Sequence, residues 1–588
     1  MKRKNVGGGA EETKGDPDEG EARHVTPSFL SNLPDLVKNK ISHFITRDEL
    51  RNVSSHLSHV HTKEWAPVAF RTTTLMEWWN VEDIALPRLL EKHGHHMQEL
   101  TVHDRFIQDH THLMKHLRRA LCAGEFKNLT KLSVSSTYES DEKIGVDGMM
   151  ESAREMCYGL GVADGSDGKG LQKLTSLTIH SPGGPYRYKS SVRPYITALD
   201  SSSFRNIIEL DIDLHNEGNP SVFRLLTDAL VSRKRHGSCK GLEILHLNFL
   251  TDYQEEEGRE DKNVVMVELL GTVQSTLREL TISGNDVFAY NPIFSALNVV
   301  QPPHLTKLHL DYDELIKDEA LSSLTSWAIN LEDFSLNSPI SQVVLYRIGR
   351  MKSLKKLRVC IDSVSAVDDS TEYFSAPSGL ITLHLQTRSR VYSDYRPHLK
   401  VLGKSLVSRG VIEELFLQGF QAEQQNSIWE GMREETIVRG IPVKGPALQS
   451  LRCLKLDNLD RTSIQVLVDC LLMPGEPGPG VLEDLDLFGS VFGNEDIGDV
   501  GVVILTDYMS RCHSTEKSVL HTLVLSNWRI RLAGFTSLAL SFRRGVCPRM
   551  KKVCLVQTGM RPNWREMVVS IEKSIRRPLW EKIRLLEE

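Results

Sequence analysis

Long apolar runs are missing from this chain. No stretch approaches the ~18 consecutive apolar residues that a membrane-spanning helix needs, so no membrane partner is expected. A basic excess is missing too. Lysine and arginine total 71 against 77 aspartates and glutamates, a net charge of −6 over 588 residues, which argues against a general nucleic-acid binder. The nine cysteines form no CxxC pair and are scattered, which leads us to expect reduced thiols in a cytoplasmic or nuclear protein. Met1-Lys2-Arg3-Lys4 runs into glycines and acids rather than an apolar segment, so no secretory leader is expected.

Catalytic signatures are equally scarce. Gly168-Lys169 invites comparison with a phosphate loop. Yet Ala163 stands where that loop needs its first glycine, and Gly170 stands where it needs a magnesium-binding hydroxyl. Twelve of the 22 histidines lie between residues 24 and 116, among them His93, His95, His96, His110 and His112. No spacing forces them to converge with Asp104 or Asp109 on one metal ion. Neither a nucleophile elbow nor a kinase loop is present. The expectation is a protein with no enzymatic activity, no cofactor and no metal.

What is abundant is one pattern, LxxLxL. It is seen at Leu242, Leu245 and Leu247, one of fifteen copies that run from Met97, Leu100 and Val102 to Met550, Val553 and Leu555. The LxL part has the period of a strand with one buried face, and the earlier leucine buries the approach to that strand. Single short strands are unstable, whereas stacked copies bury one another. The pattern therefore predicts an α/β leucine-rich-repeat solenoid, a horseshoe arc of short parallel strands backed by helices. Segments such as 221–231 and 264–270 carry apolar residues at steps of three and four, as backing helices require. Copies are spaced 23 to 45 residues apart, and only Asn285 occupies the asparagine place of the usual LxxLxLxxN consensus.

The flanks read differently. Residues 1–25 are Gly-, Glu- and Lys-rich and are expected to be disordered. Residues 28–71 lack the repeat. Pro34 suits a helix start, and Val37, Ile41, Phe44 and Ile45 form one apolar stripe ahead of a second helix through Leu50. Residues 72–96 read as a linker helix region and 97–562 as the solenoid. Polar insertions are expected as solvent loops at 138–172, 251–262 and 473–480. Over 563–588, Trp564, Met567, Ile571, Leu579 and Ile583 predict a capping helix kinked at Pro578.

Leu33-Pro34, Val37, Ile41, Phe44-Ile45, Leu50 and Trp65 together resemble an F-box, and F-box proteins with leucine-rich repeats are a known group. Glu49 departs from the family's usual aspartate, and the interval from Leu50 to Trp65 is longer than usual. The resemblance implies that these eight residues dock on a Skp-type adaptor of a cullin-RING ubiquitin ligase, while the repeats hold the protein to be ubiquitylated. Read from the residues alone, the segment is also compatible with a helical cap over the first repeat. A free-standing repeat scaffold or inhibitor, and a GTPase regulator, remain open as whole-chain alternatives.

In each copy the third and fifth places, and the place after the motif, should point to the concave side. Acids there outnumber bases eleven to six, with histidines 103, 180, 246, 309 and 384 between them. The expected target-binding residues are Glu209, Asp211 and Asp213 in one copy, Lys356 and Arg358 in another, and Asp484 and Asp486 in a third. They predict a target protein with a basic segment.

Overall fold

The computed structural model describes residues 71–75, most of 90–556, and 583–586; residues 1–70, 76–89, 138–170, several shorter connections and 557–582 fall outside it. The 28–71 segment up to residue 70, the expected N-terminal disorder and most of the insertions therefore lie outside the described residues.

Every predicted repeat is a strand of one parallel sheet. In chain order the first strands are β1 (Thr72–Leu75), β2 (Glu99–Arg105), β3 (Lys131–Thr137), β4 (Ser176–His180), β5 (Glu209–Asp213) and β6 (Ile244–Leu250). Then come β7 (Glu279–Asn285), β8 (Lys307–Asp311), β9 (Asp333–Ile340), β10 (Lys356–Ile361), β11 (Thr382–Thr387) and β12 (Glu414–Gln418). The series ends with β13 (Cys453–Leu459), β14 (Asp484–Gly489), β15 (Thr522–Ser526), β16 (Lys552–Val556) and β17 (Ile583–Leu586). Each pairs with its neighbours in sequence, giving 17 strands among the described residues. Strands β2 to β16 carry the fifteen copies, and all the apolar residues of those copies are buried.

Twelve α-helices among the described residues alternate with the strands. They are α1 (Thr111–Cys122), α2 (Val192–Ala198), α3 (Pro220–Arg235), α4 (Arg259–Val273), α5 (Asn291–Val300) and α6 (Asp318–Trp327). The others are α7 (Gln342–Gly349), α8 (Arg396–Arg409), α9 (Ala422–Thr436), α10 (Arg461–Leu471), α11 (Gly498–Cys512) and α12 (Leu532–Arg543). Their apolar stripes, such as Phe223, Leu226 and Leu230 of α3, join the leucines of the strands in one continuous core. This is a leucine-rich-repeat type solenoid.

The backbone supplies its own ruler. The two N–H groups that precede or open each repeat strand both donate to a single carbonyl of the preceding repeat. Thr130 and Lys131 bond the Gln98 oxygen, Glu243 and Ile244 that of Ile208, and Lys551 and Lys552 that of His521. Asparagine does recur, but one place ahead of the motif instead of after it. Asn128, Asn206 and Asn330 donate to the carbonyls of His95, Gln172 and Pro303 in the preceding repeats, at 2.6, 2.5 and 3.0 Å. These bonds tie each turn to the one before it.

Adjoining helices are tied in similar ways. Ser341 caps α7 by accepting the Val344 N–H, and its hydroxyl donates to Asp318 at the start of α6. The 97% buried Arg233, at the end of α3, donates to the carbonyls of Arg205, Ile207 and Lys240, joining the approaches to β5 and β6.

Three boundaries differ from expectation. Residues 72–75 are strand, paired parallel with β2, so the sheet starts within the region read as linker helix. The consecutive β-branched Thr72, Thr73 and Thr74 suit a pleat better than a helix. At the other end Ile583–Leu586 is strand, paired parallel with β16, where the pattern predicted the capping helix to continue; residues 563–582 lie outside the described residues. Four apolar or long side chains in succession are as compatible with a sheet edge as with a helix stripe, and an unpaired edge at β16 decides between them. Helix α4 begins at Arg259, inside the insertion read as a loop to residue 262.

Candidate functional site

Strands so aligned leave one face covered by helices and the other bearing only side chains. In-register pairing arranges that open face in rows. The first row runs through Glu99, Lys131, Ser176, Glu209, Ile244, Glu279 and Lys307, then through Asp333, Lys356, Thr382, Glu414, Cys453 and Asp484. The central row holds Asp211, His246, Thr281, His309, Ser335, Arg358, His384, Phe416, Lys455 and Asp486. A third row begins one pleat further and includes His180, Asp213 and Asn248.

The seven expected target-binding residues all belong to these rows, but they form three groups rather than one site. Glu209, Asp211 and Asp213 stand on β5, Lys356 and Arg358 on β10, and Asp484 and Asp486 on β14. Five strand steps separate the first two groups and four the last two. At about 4.8 Å per strand these are gaps of roughly 24 and 19 Å.

Nor are all the acids free. Asp213 is only 7% exposed, and its carboxylate lies 3.0 Å from His180 Nδ1. Asp486 faces Lys455 Nζ at 3.4 Å. Each carboxylate thus meets a base on the adjacent strand. Among the described residues, Glu209, Asp211, Lys356, Arg358 and Asp484 form neither ion pairs nor side-chain hydrogen bonds.

The charged side chains at the centre of the face engage one another. His246 Nε2 is 3.2 Å from Glu279, whose other oxygen accepts from Lys307 Nζ at 2.8 Å. His309 Nε2 lies 3.1 Å from Asp333. In both histidine pairs a central-row imidazole meets a first-row acid on the next strand, whereas Lys307 meets Glu279 within the first row. Further along, Phe416 stands half-buried, with the His384 ring 5.5 Å away and Lys455 Nζ 5.7 Å from its centroid.

Protonation follows this layout. Burial pushes the Asp211 carboxyl up, opposed in part by the charges of His180 and His246. Burial also works to raise Glu279, but bonds from Lys307 and His246 bring it below the ordinary range. The hydrogen bond to Asp213 raises His180, whereas burial and then Arg358 lower His384. In the C-terminal half, burial drives Asp457 up to about 6 although both its oxygens accept from the Gly419 N–H at 2.7 Å.

These shifts predict that His180 titrates above the ordinary imidazole value of about 6.5 and His384 below it. The stabilisation from the His180–Asp213 pair is complete below that ordinary value and is lost as pH rises through the higher His180 midpoint. Assigned imidazole resonances in an NMR titration check both directions. Asp213→Asn should lower the His180 midpoint and leave His384 unmoved; midpoints in the reverse order would contradict the geometry.

No group of three or more His, Cys, Asp or Glu side chains converges to hold a metal among the described residues, and no described helix is long and apolar enough to cross a membrane. Of the clustered histidines, His95 and His96 lie with ring centroids 3.8 Å apart and planes tilted by 44°, and burial followed by the His95 charge lowers His96. The adaptor-binding candidates Leu33, Pro34, Val37, Ile41, Phe44, Ile45, Leu50 and Trp65 lie outside the described residues.

Sequence reasoning missed Phe416 and the histidine–carboxylate pairs. Both were accessible in principle: once strands are aligned in register, a base on one strand falls beside an acid on its neighbour. No protein-family model matches the chain, and no curated protein matches it.

Proposed function

We propose that this chain is the substrate-recognition subunit of a Skp-cullin-F-box type ubiquitin ligase, capturing a target protein on the open strand face. The observation that carries the reading is that face itself: ordered rows of side chains on a fixed backbone, suited to reading another protein's surface. The F-box-like residues 28–71 precede it in the chain and supply the link to an adaptor. The subunit performs no chemistry. It raises the local concentration of target near the ubiquitin-loaded enzyme, and the rate gain comes from proximity.

Co-purification with a Skp-type adaptor tests the reading. The full chain should retain the adaptor, and Leu33→Ala combined with Pro34→Ala should abolish retention while circular dichroism of the repeats stays unchanged. Loss of one buried leucine costs about 2–5 kcal/mol, enough to dissolve a small interface. Equal retention by the double variant would refute the docking assignment. If the full chain retains no adaptor at all, the free-standing scaffold takes its place. Unfolding of the repeats in the double variant would favour the helical-cap role for 28–71.

A further inference from the structure

We propose that the strand face binds an extended peptide segment laid across the strands, with a basic residue over Glu209 and Asp211 and an acidic residue about seven positions away over Lys356 and Arg358. This rests on reading the strand face as the recognition surface, and adds the charge pattern and spacing of what it recognises.

The argument begins with which charges are left over. Between β5 and β10 the charged side chains of β6 to β9 are engaged by neighbours: Glu279 meets Lys307 and His246, Asp333 lies beside His309, and Asp311 accepts from Asn337. At the two ends of that interval, Glu209 with Asp211 and Lys356 with Arg358 carry no ion pair among the described residues. The face therefore presents a negative end, a floor whose charged side chains are engaged by neighbours, and a positive end. The register keeps like positions in line: Glu209 and Lys356 share the first row, Asp211 and Arg358 the central row. A ligand touching both ends must run along the rows and hence across the strands.

Side chains must do the recognising. From β5 to β10 every strand is hydrogen-bonded on both sides, so no edge is open for a ligand to add itself as another strand. The five strand steps amount to about 24 Å, and an extended chain advances about 3.3 Å per residue, which sets the interval near seven residues. Charges matched in this way act mainly on capture and on choice among partners. Phe416, two strands beyond Arg358, adds a half-buried ring against which a residue past the acidic end can pack.

The test is selection of a random displayed dodecapeptide library on the purified full-length chain, with Asp211→Lys and Arg358→Glu variants run in parallel. Peptides selected on the native chain should be enriched in a basic and an acidic residue about six to eight positions apart. Asp211→Lys should erase the preference for the basic residue and retain that for the acidic one, and Arg358→Glu should do the converse. A synthetic peptide selected on the native chain should bind either variant on the order of tenfold more weakly. Asp211→Asn, which removes charge at constant shape, should weaken binding in the same direction, and this separates recognition from misfolding. Selected peptides without that spacing, identical selections on the native chain and both variants, or no enrichment over the unselected library would each overturn the proposal. The adaptor is absent from the selection, so its outcome is independent of whether residues 28–71 dock on a Skp-type protein.

Discussion

Gly431→Val should lower the stability of the solenoid by about 3 kcal/mol or more, at the upper end of what overpacking a close contact costs. Gly431 lies in α9 and Gly403 in α8, and each faces the other helix's backbone. A Cβ at 431 would overlap the Lys400 carbonyl, and one at 403 would overlap that of Ile428. Both obstacles are main chain, which cannot swing aside, so the helices must separate. Glycine inside a helix costs about 1 kcal/mol relative to alanine, and two such positions persist here because they allow the close approach. Urea denaturation followed by circular dichroism should show a lower midpoint, with faster amide exchange over 396–436. Gly403→Ala should act in the same direction, and the two changes combined should cost less than their sum, because they relieve the same contact. An unchanged midpoint for Gly431→Val would show that the helices can part freely. Since β12 connects the two helices, their separation should also disturb Phe416 on the strand face.

Trp528→Ala should cost about 3–5 kcal/mol, the range for deleting a large buried aromatic. Trp528 is 1% exposed, and its indole N–H donates to the Leu487 carbonyl on β14 at 3.0 Å, while its own carbonyl accepts the Gly498 N–H at 2.9 Å. The ring fills the space beside Gly501 of α11, so the residue joins a strand, a helix and a turn of successive repeats. Trp528→Phe separates the contributions. It retains much of the bulk and removes only the bond to the Leu487 carbonyl, for a cost of about 0.5–1.5 kcal/mol. Thermal unfolding should therefore rank the native chain first, then the phenylalanine variant, then alanine. If alanine matched phenylalanine, the hydrogen bond rather than packing would carry the stability. Because each repeat contacts chiefly its neighbours, exchange protection should fall first around 484–543.

The repeat architecture was legible because it depends on a local signal copied many times. Three apolar positions at fixed spacing place a strand and its approach, and each additional copy reduces the chance of coincidence. The acids and bases of the open face could be assigned for the same reason, since a period of two decides which side chains point outward. Their pairing could not be read so directly. His180 and Asp213 are 33 residues apart, and Lys455 and Asp486 are 31 apart. Only alignment of neighbouring strands brings them together. The asparagine that bonds the preceding repeat was also misplaced by the usual consensus, because Asn128, Asn206 and Asn330 serve from the turn before the motif.

The sequence by itself determined the number and order of the repeat strands, their buried face and the helical backing, all of which follow from short-range periodicity. The tertiary structure decided what periodicity does not encode. It added strands at 72–75 and 583–586, where open sheet edges find partners. It divided the charged face into compensated and uncompensated groups, because register sets which unlike charges come within about 4 Å. It brought α8 and α9 so near that two glycines became necessary. Each of these depends on distances between residues far apart in the chain, and such distances exist only after the strands have stacked.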